Sequence, residues 1–149
     1  MSDGKPVQSP LNLALPIAKG KNLEIIAYVA LHSKVINAGL DAVGTVHFAR
    51  FLPEPGFIAI PPTSQTLWVF TEYDGTFDQY IIDFVNQMGD VFDKLLSFVV
   101  DPPPLPVKDN VAAFEAWVNA HNVHSELYSA YPACTVQMIL NGACPPPPS

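Results

Sequence analysis

The sequence is poor in basic residues and in long apolar runs. Lys and Arg together number 7 among 149 residues, Asp and Glu number 14, and the formal net charge is −7. Nucleic acids and membrane surfaces are usually bound by clustered Lys and Arg, so this charge argues against both as partners. No apolar run approaches the roughly 20 residues of a transmembrane helix. The start MSDGKPVQSP lacks the regions of a secretory signal, and we expect a cytoplasmic protein.

Several enzyme motifs are also missing. The chain has no GxSxG, HExxH, P-loop or GxGxxG sequence, so hydrolase, zinc-protease and nucleotide-binding functions lack their starting residues. Cys134 and Cys144 are the only cysteines and form no CxxC motif. We expect two ordinary thiols, although a disulfide is the alternative in an oxidising compartment. The sequence predicts no metal site.

Apolar residues make up 49% of the chain, which is enough to build one hydrophobic core at this length. The 16 prolines fall in clusters that punctuate the sequence. We predict a single domain over residues 1–144 and an extended, proline-rich tail over residues 145–149.

Hydrophobic periodicity and turn residues predict the order of the elements. A helix should begin at Thr76, which with Gln79 forms a capping box. The predicted elements are strand 11–17, helix 22–43 with Gly39 as the place of any break, strand 45–52, a short strand 57–60, strand 66–73, the helix after Thr76 with a pause at residues 89–90, a weak strand 96–100, and helices after residues 109–110 and 135. This order predicts an α+β fold of the ferredoxin-like βαββαβ type, with helices on one face of an antiparallel sheet and extra C-terminal helices.

Side-chain alternation divides the second and third strands into two faces. Val46, Phe48, Arg50 and Leu52 should face the helices together with Leu67, Val69, Thr71 and Tyr73. A guanidinium on that side would need a carboxylate or several carbonyl acceptors, and we expect Arg50 to form a structural salt bridge, with a role in substrate binding as the alternative. The opposite face should gather His47, Phe51, Trp68, Phe70 and Glu72.

An aromatic face without helices should not stay in water. A second copy of the sheet is the simplest cover, and it would make a homodimeric barrel with a cavity between the two faces. In that cavity His47 could act as a base or as a metal or haem ligand, with Glu72 as its partner. The alternative is that the two residues are a satisfied polar pair within an interface.

The region from Gly44 to Phe84 contains VGTVHFARFLPEPG and LWVFTEYDGTFDQYIIDF. These motifs resemble small ferredoxin-like domains of the dimeric α+β barrel superfamily, including the dye-decolourising peroxidase group. The resemblance implies the fold and a dimer, and it makes haem a possible cofactor. It also suggests His47 and Arg50 of the HFAR motif as a site, although the superfamily includes cofactor-free oxygenases and isomerases as well.

The leading hypothesis is therefore a dimeric barrel that binds a small apolar ligand or haem, with oxidoreductase as the expected class if the protein is catalytic. The candidate catalytic residues are His47, Arg50 and Glu72, with His47 giving or taking a proton. The candidate ligand-binding residues are Phe51, Trp68 and Phe70. The alternative is a non-catalytic interaction or assembly protein that uses the same sheet face as an interface.

Overall fold

The computed structural model describes residues 5–55 and 65–146 and has an α+β fold. The elements are β1 (Gln8–Pro16), α1 (Asn22–Leu31), α2 (Ser33–Val43), β2 (Val46–Glu54), β3 (Thr66–Asp74), α3 (Phe77–Leu96), a 3₁₀ turn (Val107–Asp109), α4 (Val111–His121) and α5 (Val136–Leu140). The strand predicted over residues 57–60 and the end of the proline tail lie outside the described residues.

The described residues form one antiparallel sheet of three strands in the order β1-β3-β2. The fourth strand predicted over residues 96–100 does not form. Val99 makes only an isolated antiparallel bridge with Ile17, because α3 continues to Leu96 and Pro102 follows soon after. The full βαββαβ topology is therefore not established.

The hydrophobic core lies between one face of the sheet and α3. The alternation predicted for β1 is confirmed, since Leu11, Leu13, Leu15 and Ile17 are all buried. Helix α3 begins as predicted, with the Thr76 hydroxyl accepting a hydrogen bond from the Gln79 amide at 3.2 Å. The Gln79 side chain bonds to Asp83 instead of completing the capping box. No pause occurs at residues 89–90, and α3 runs unbroken over 20 residues.

The helix predicted over residues 22–43 is broken, but at His32 and not at Gly39. Helices α1 and α2 meet there at an angle of 66°. Gly39 lies inside α2, where a side chain would collide with Met88 of α3, so this glycine permits a close helix contact. Among the described helices none is by itself long and apolar enough to cross a bilayer, although the bent pair α1 and α2 reaches that length and composition together.

Residues 122–146, which we call the C-terminal strap, follow the free edge of β1. Asn122 forms an antiparallel bridge with Leu13, and the Val7 amide donates to the Pro132 carbonyl at 2.7 Å. The strap then reaches the far end of the sheet, where it forms α5 before its last residues. Cys134 and Cys144 are joined by a disulfide, so the expectation of two ordinary thiols is wrong and the alternative is found.

Candidate functional site

A β-bulge at His47 sets the geometry of the site. Val46 pairs with Tyr73 and Phe48 pairs with Glu72, so the extra residue His47 interrupts the register of β2. A bulge of one residue reverses the alternation of every side chain beyond it. We call the side of the sheet opposite α3 the open face. His47 lies on it as predicted, but the residues that follow are reversed relative to the prediction.

The reversal corrects four predicted placements, because Phe48, Arg50 and Leu52 lie on the open face and Phe51 lies on the core side. Arg50 lies on the open face beside Phe70, and no salt bridge to it is found in the described part of the chain. Its guanidinium carbon lies 5.3 Å from the centre of the Phe70 ring, which is a cation–π contact. Phe51 pairs instead with buried Val69 and packs against the core, so it does not belong to the open face. The predicted faces of β3 are confirmed.

His47 is held by Asp74, not by Glu72 as the sequence suggested. Its Nε2 lies 2.7 Å from Asp74 Oδ1, and the two side chains are only 4% and 8% exposed. The second oxygen of Asp74 accepts a hydrogen bond from the Val136 amide of α5 at 2.8 Å. One buried carboxylate therefore orients the imidazole and also fixes the start of α5.

Gln8 extends this polar cluster into β1, where it pairs with Asp74 across the sheet. Its side-chain amide donates to the carbonyls of Tyr131 and Cys134, at 3.2 and 2.6 Å. Its oxygen, like the Thr45 hydroxyl, is buried and makes no hydrogen bond within the described residues. Buried polar groups thus gather at the end of the sheet where the strap docks.

A groove of about 520 Å³ lies between the open face and the strap. We call it the sheet-face groove. The sheet contributes His47, Phe48, Arg50, Phe70 and Glu72, and the strap contributes residues 127–131. Its walls are mainly aromatic and aliphatic, with one cation and one carboxylate among them. The groove therefore has the mixed character of a site for a small organic molecule.

Glu72 is the one carboxylate in this groove whose pKa is clearly shifted. Burial raises the pKa of Glu72 because it disfavours the ionised form, and the nearby charges of Arg50 and His47 oppose this without cancelling it. The Arg50 guanidinium lies near enough to attract Glu72, although no ion pair between them is found in the described residues. An anion entering the groove would meet the same guanidinium.

Trp68 lies next to the groove and does not line it. Its ring stacks on Phe70 at 5.5 Å between centroids, and its indole N–H donates to Glu54 at 3.2 Å. The predicted residues His47, Arg50, Phe70 and Glu72 are therefore brought together, Trp68 supports Phe70 from the side, and Phe51 is excluded.

A second cleft, of about 640 Å³, lies on the other side of the bulge between α2, β2 and α5. It shares His47, Phe48, Ala49 and Tyr131 with the sheet-face groove. Asn37 and Asp41 of α2 and Gln137 of α5 give it a more polar lining. The bulge thus sits between two openings, and α5 forms a wall of the second.

The site does not suit a metal or haem. The described residues contain no group of three or more His, Cys, Asp and Glu that could hold a metal ion. An axial haem ligand needs an accessible imidazole nitrogen. The imidazole side chain of His47 is only 4% exposed, so its nitrogens are not open to a haem iron and the residues present do not fit haem.

Sequence reasoning missed Asp74, Gln8 and the strap. The sequence does carry a signal for Asp74, because it follows Glu72 by two residues and therefore shares its face. Gln8 precedes residues 11–17, the predicted first strand. Residues 127–131 carry no periodic pattern, and only the folded chain places them over the sheet.

No protein-family model matches this chain, and neither a curated protein nor a solved structure does. The likeness to dimeric α+β barrels therefore rests on the sequence motifs alone, and function has to be argued from the site.

Proposed function

We propose that this protein binds a small organic ligand with an apolar body and an anionic group in the sheet-face groove. One observation carries the proposal. Arg50 is the one Lys or Arg residue that lines this largely apolar groove, and its guanidinium lies over the Phe70 ring. No carboxylate among the described residues forms an ion pair with it. A guanidinium in such surroundings binds carboxylates and similar anions well, because it presents paired donors and is weakly hydrated.

The walls would supply most of the affinity. Phe48 is 61% exposed, and Phe70 is half-buried beside it, so a flat or aliphatic ligand would remove apolar surface from water. Strap residues 127–131 would cover the ligand from the other side. Glu72 opposes an anion while it is ionised, and its raised pKa lessens that opposition at mildly acidic pH.

We propose further that the fold is ferredoxin-like with a reduced fourth strand. The bridge between Val99 and Ile17 lies beside β1, at the edge where the last strand of a βαββαβ sheet would pair. The order β1-β3-β2 agrees with this arrangement. Oxidoreductase activity, with His47 as an acid or base, stays a prediction from the sequence.

The ligand proposal can be tested with a matched pair of fluorescent probes. Anilinonaphthalene sulfonate has an apolar body and one negative charge, and N-phenylnaphthylamine is its uncharged counterpart. Arg50→Gln should raise the dissociation constant of the anionic probe about tenfold, which corresponds to a loss of roughly 1.4 kcal/mol of binding free energy. It should leave the dissociation constant of the neutral probe nearly unchanged.

Lys108→Gln is the control, because it removes an exposed cation from the 3₁₀ turn, which does not line the groove. Phe70→Ala should weaken the binding of both probes, since it removes part of the apolar wall. Equal effects of Arg50→Gln and Lys108→Gln on the anionic probe would show that Arg50 is not a binding residue. Failure of both probes to bind the wild-type protein would contradict the proposed function.

A second candidate function is self-association through the open face. Leu52 and Phe48 are 46% and 61% exposed there, next to the stacked rings of Trp68 and Phe70. Exposed apolar side chains grouped in this way are typical of an interface. Two copies packed face to face would form the dimeric barrel that the sequence predicts, with the two grooves between them.

A further inference from the structure

We propose that the disulfide between Cys134 and Cys144 is a redox-sensitive clasp that holds the C-terminal strap over the sheet-face groove. Reduction of this bond would release α5 and loosen the wall of the groove. The inference rests on the proposed function for its consequence, ligand binding, but the release of the strap can be observed without any ligand.

A small set of hydrogen bonds ties the strap to the site, among them the bond from the Val7 amide to the Pro132 carbonyl. Its carbonyls at Tyr131 and Cys134 accept hydrogen bonds from Gln8, and the Val136 amide donates to Asp74. The Gln137 side chain donates to the Gly44 carbonyl at 2.9 Å. These bonds all fall within a short stretch around the start of α5, so they would be made and broken together.

Helix α5 has little else to hold it in place. It has five residues and buries none of them, and Leu140 is 73% exposed. A helix this short is not stable by itself in water. In most proteins a terminal helix is fixed by a buried apolar face, and here the disulfide takes that part by closing the chain around α5.

The two sulfurs differ in accessibility. Cys134 is fully buried, whereas Cys144 is exposed. A thiolate from a small dithiol or a reductase would therefore attack Sγ of Cys144, and Cys134 would leave as a thiolate. The second thiol of the reductant would then attack the mixed disulfide, so that the protein gains two thiols and the reductant becomes the disulfide.

Release of α5 would affect both sides of His47. Asp74 would lose the amide of Val136 and, among the described residues, would keep the imidazole of His47 as its side-chain partner. Tyr131, which lines both openings, would lose the anchors that follow it in the chain. A less ordered wall binds a ligand more weakly, since binding must then pay the entropy of ordering it. We therefore expect the oxidised protein to be the better binder.

Amide hydrogen exchange of the full chain, followed with and without a dithiol reductant, tests the clasp directly. The Val136 amide should exchange at least about tenfold faster in the reduced protein, because its protection comes from docking on Asp74. The Val123 amide, which bonds to Asn12 near the start of the strap, and the Gln79 amide at the cap of α3 should not change.

Cys144→Ser provides the matched variant, since it removes the exposed sulfur and leaves the buried position intact. It should behave like the reduced wild type and should not respond to the reductant. The dissociation constant of anilinonaphthalene sulfonate should be several-fold higher for Cys144→Ser and for the reduced wild type than for the oxidised wild type.

Unchanged exchange at Val136 after reduction would overturn the clasp. Faster exchange at Val136 with an unchanged dissociation constant for the probe would show that the disulfide does not control ligand binding in the groove. If the probe binds neither form, the proposed function fails, but exchange at Val136 still decides whether the disulfide holds the strap.

Discussion

Glu72 is the residue at which burial and charge oppose each other within the groove. Its carboxylate lies on the open face between the aromatic wall and the His47 cluster. Burial raises its pKa, while Arg50 and His47 lower it by a smaller amount. The folded protein therefore binds a proton at Glu72 more readily than the unfolded chain does.

The sign of the resulting pH dependence follows from this difference. At neutral pH the ionised carboxylate destabilises the folded state, and the cost disappears as the pH falls through the raised pKa toward the ordinary value for Glu. Glu72→Gln should therefore raise the melting temperature at neutral pH, and the gain should shrink on acidification. Thermal unfolding followed by circular dichroism across this pH range measures both effects.

Glu126→Gln, at an exposed position of the strap, is the control and should leave the melting temperature unchanged at neutral pH. A Glu72→Gln protein that melts lower than the wild type at neutral pH would mean that attraction to Arg50 outweighs burial. Anionic probes should also bind Glu72→Gln more tightly than the wild type, because a negative charge has been removed from the groove.

At the scale of elements, the contact between α2 and α3 depends on Gly39. A methyl group at this position would overlap the Met88 side chain, which is only 1% exposed and cannot turn into solvent. Gly89 on α3 is different, because its added methyl would meet Val107 and Val85 at ordinary distances of 3.7 and 3.9 Å. The two glycines form a natural pair for comparison.

Gly89→Ala should stabilise the protein by up to about 1 kcal/mol, since alanine favours a helix over glycine by this amount. Gly39→Ala gains the same helix preference but must displace Met88, and overpacking of a core costs about 1–3 kcal/mol. We expect Gly39→Ala to lower the free energy of unfolding measured with urea and Gly89→Ala to raise it. A stabilising Gly39→Ala would show that α2 and α3 can separate at little cost.

At the scale of the whole molecule, the open face decides whether the protein works alone or in pairs. The strap covers this face only near β1 and at the end of the sheet, and Leu52 and Phe48 of β2 stay exposed. If two copies pack through this region, sedimentation should show a concentration-dependent dimer.

Leu52→Glu should shift that equilibrium to the monomer, because it buries a charge in the interface. Ile82→Glu is the control, since Ile82 is 43% exposed on α3 and lies away from the open face. A wild-type protein that stays monomeric at high micromolar concentration would exclude the second candidate function and leave the ligand proposal untouched.

The disulfide also bears on the whole molecule, because such bonds are typical of oxidising compartments and do not favour the expected cytoplasmic location.

The sequence alone determined those features that depend on neighbouring residues. The alternation of Leu11, Leu13 and Leu15 placed one face of β1 against the core. The hydroxyl of Thr76 caps α3 as predicted, and α5 follows residue 135 as predicted, with the Thr135 hydroxyl as its cap. Periodicity and capping are visible in the sequence because each arises within a few residues of chain.

Only the tertiary structure decided which residues form the site. The bulge at His47 depends on how β2 pairs with β3, and it exchanged the predicted places of Arg50 and Phe51. The partner of His47 depends on the docking of Asp74 against α5, and the groove depends on a strap that lies more than a hundred residues from β1 in the chain. Local patterns fix which side chains alternate, but register and cover are set by contacts between distant segments, and no local pattern encodes those.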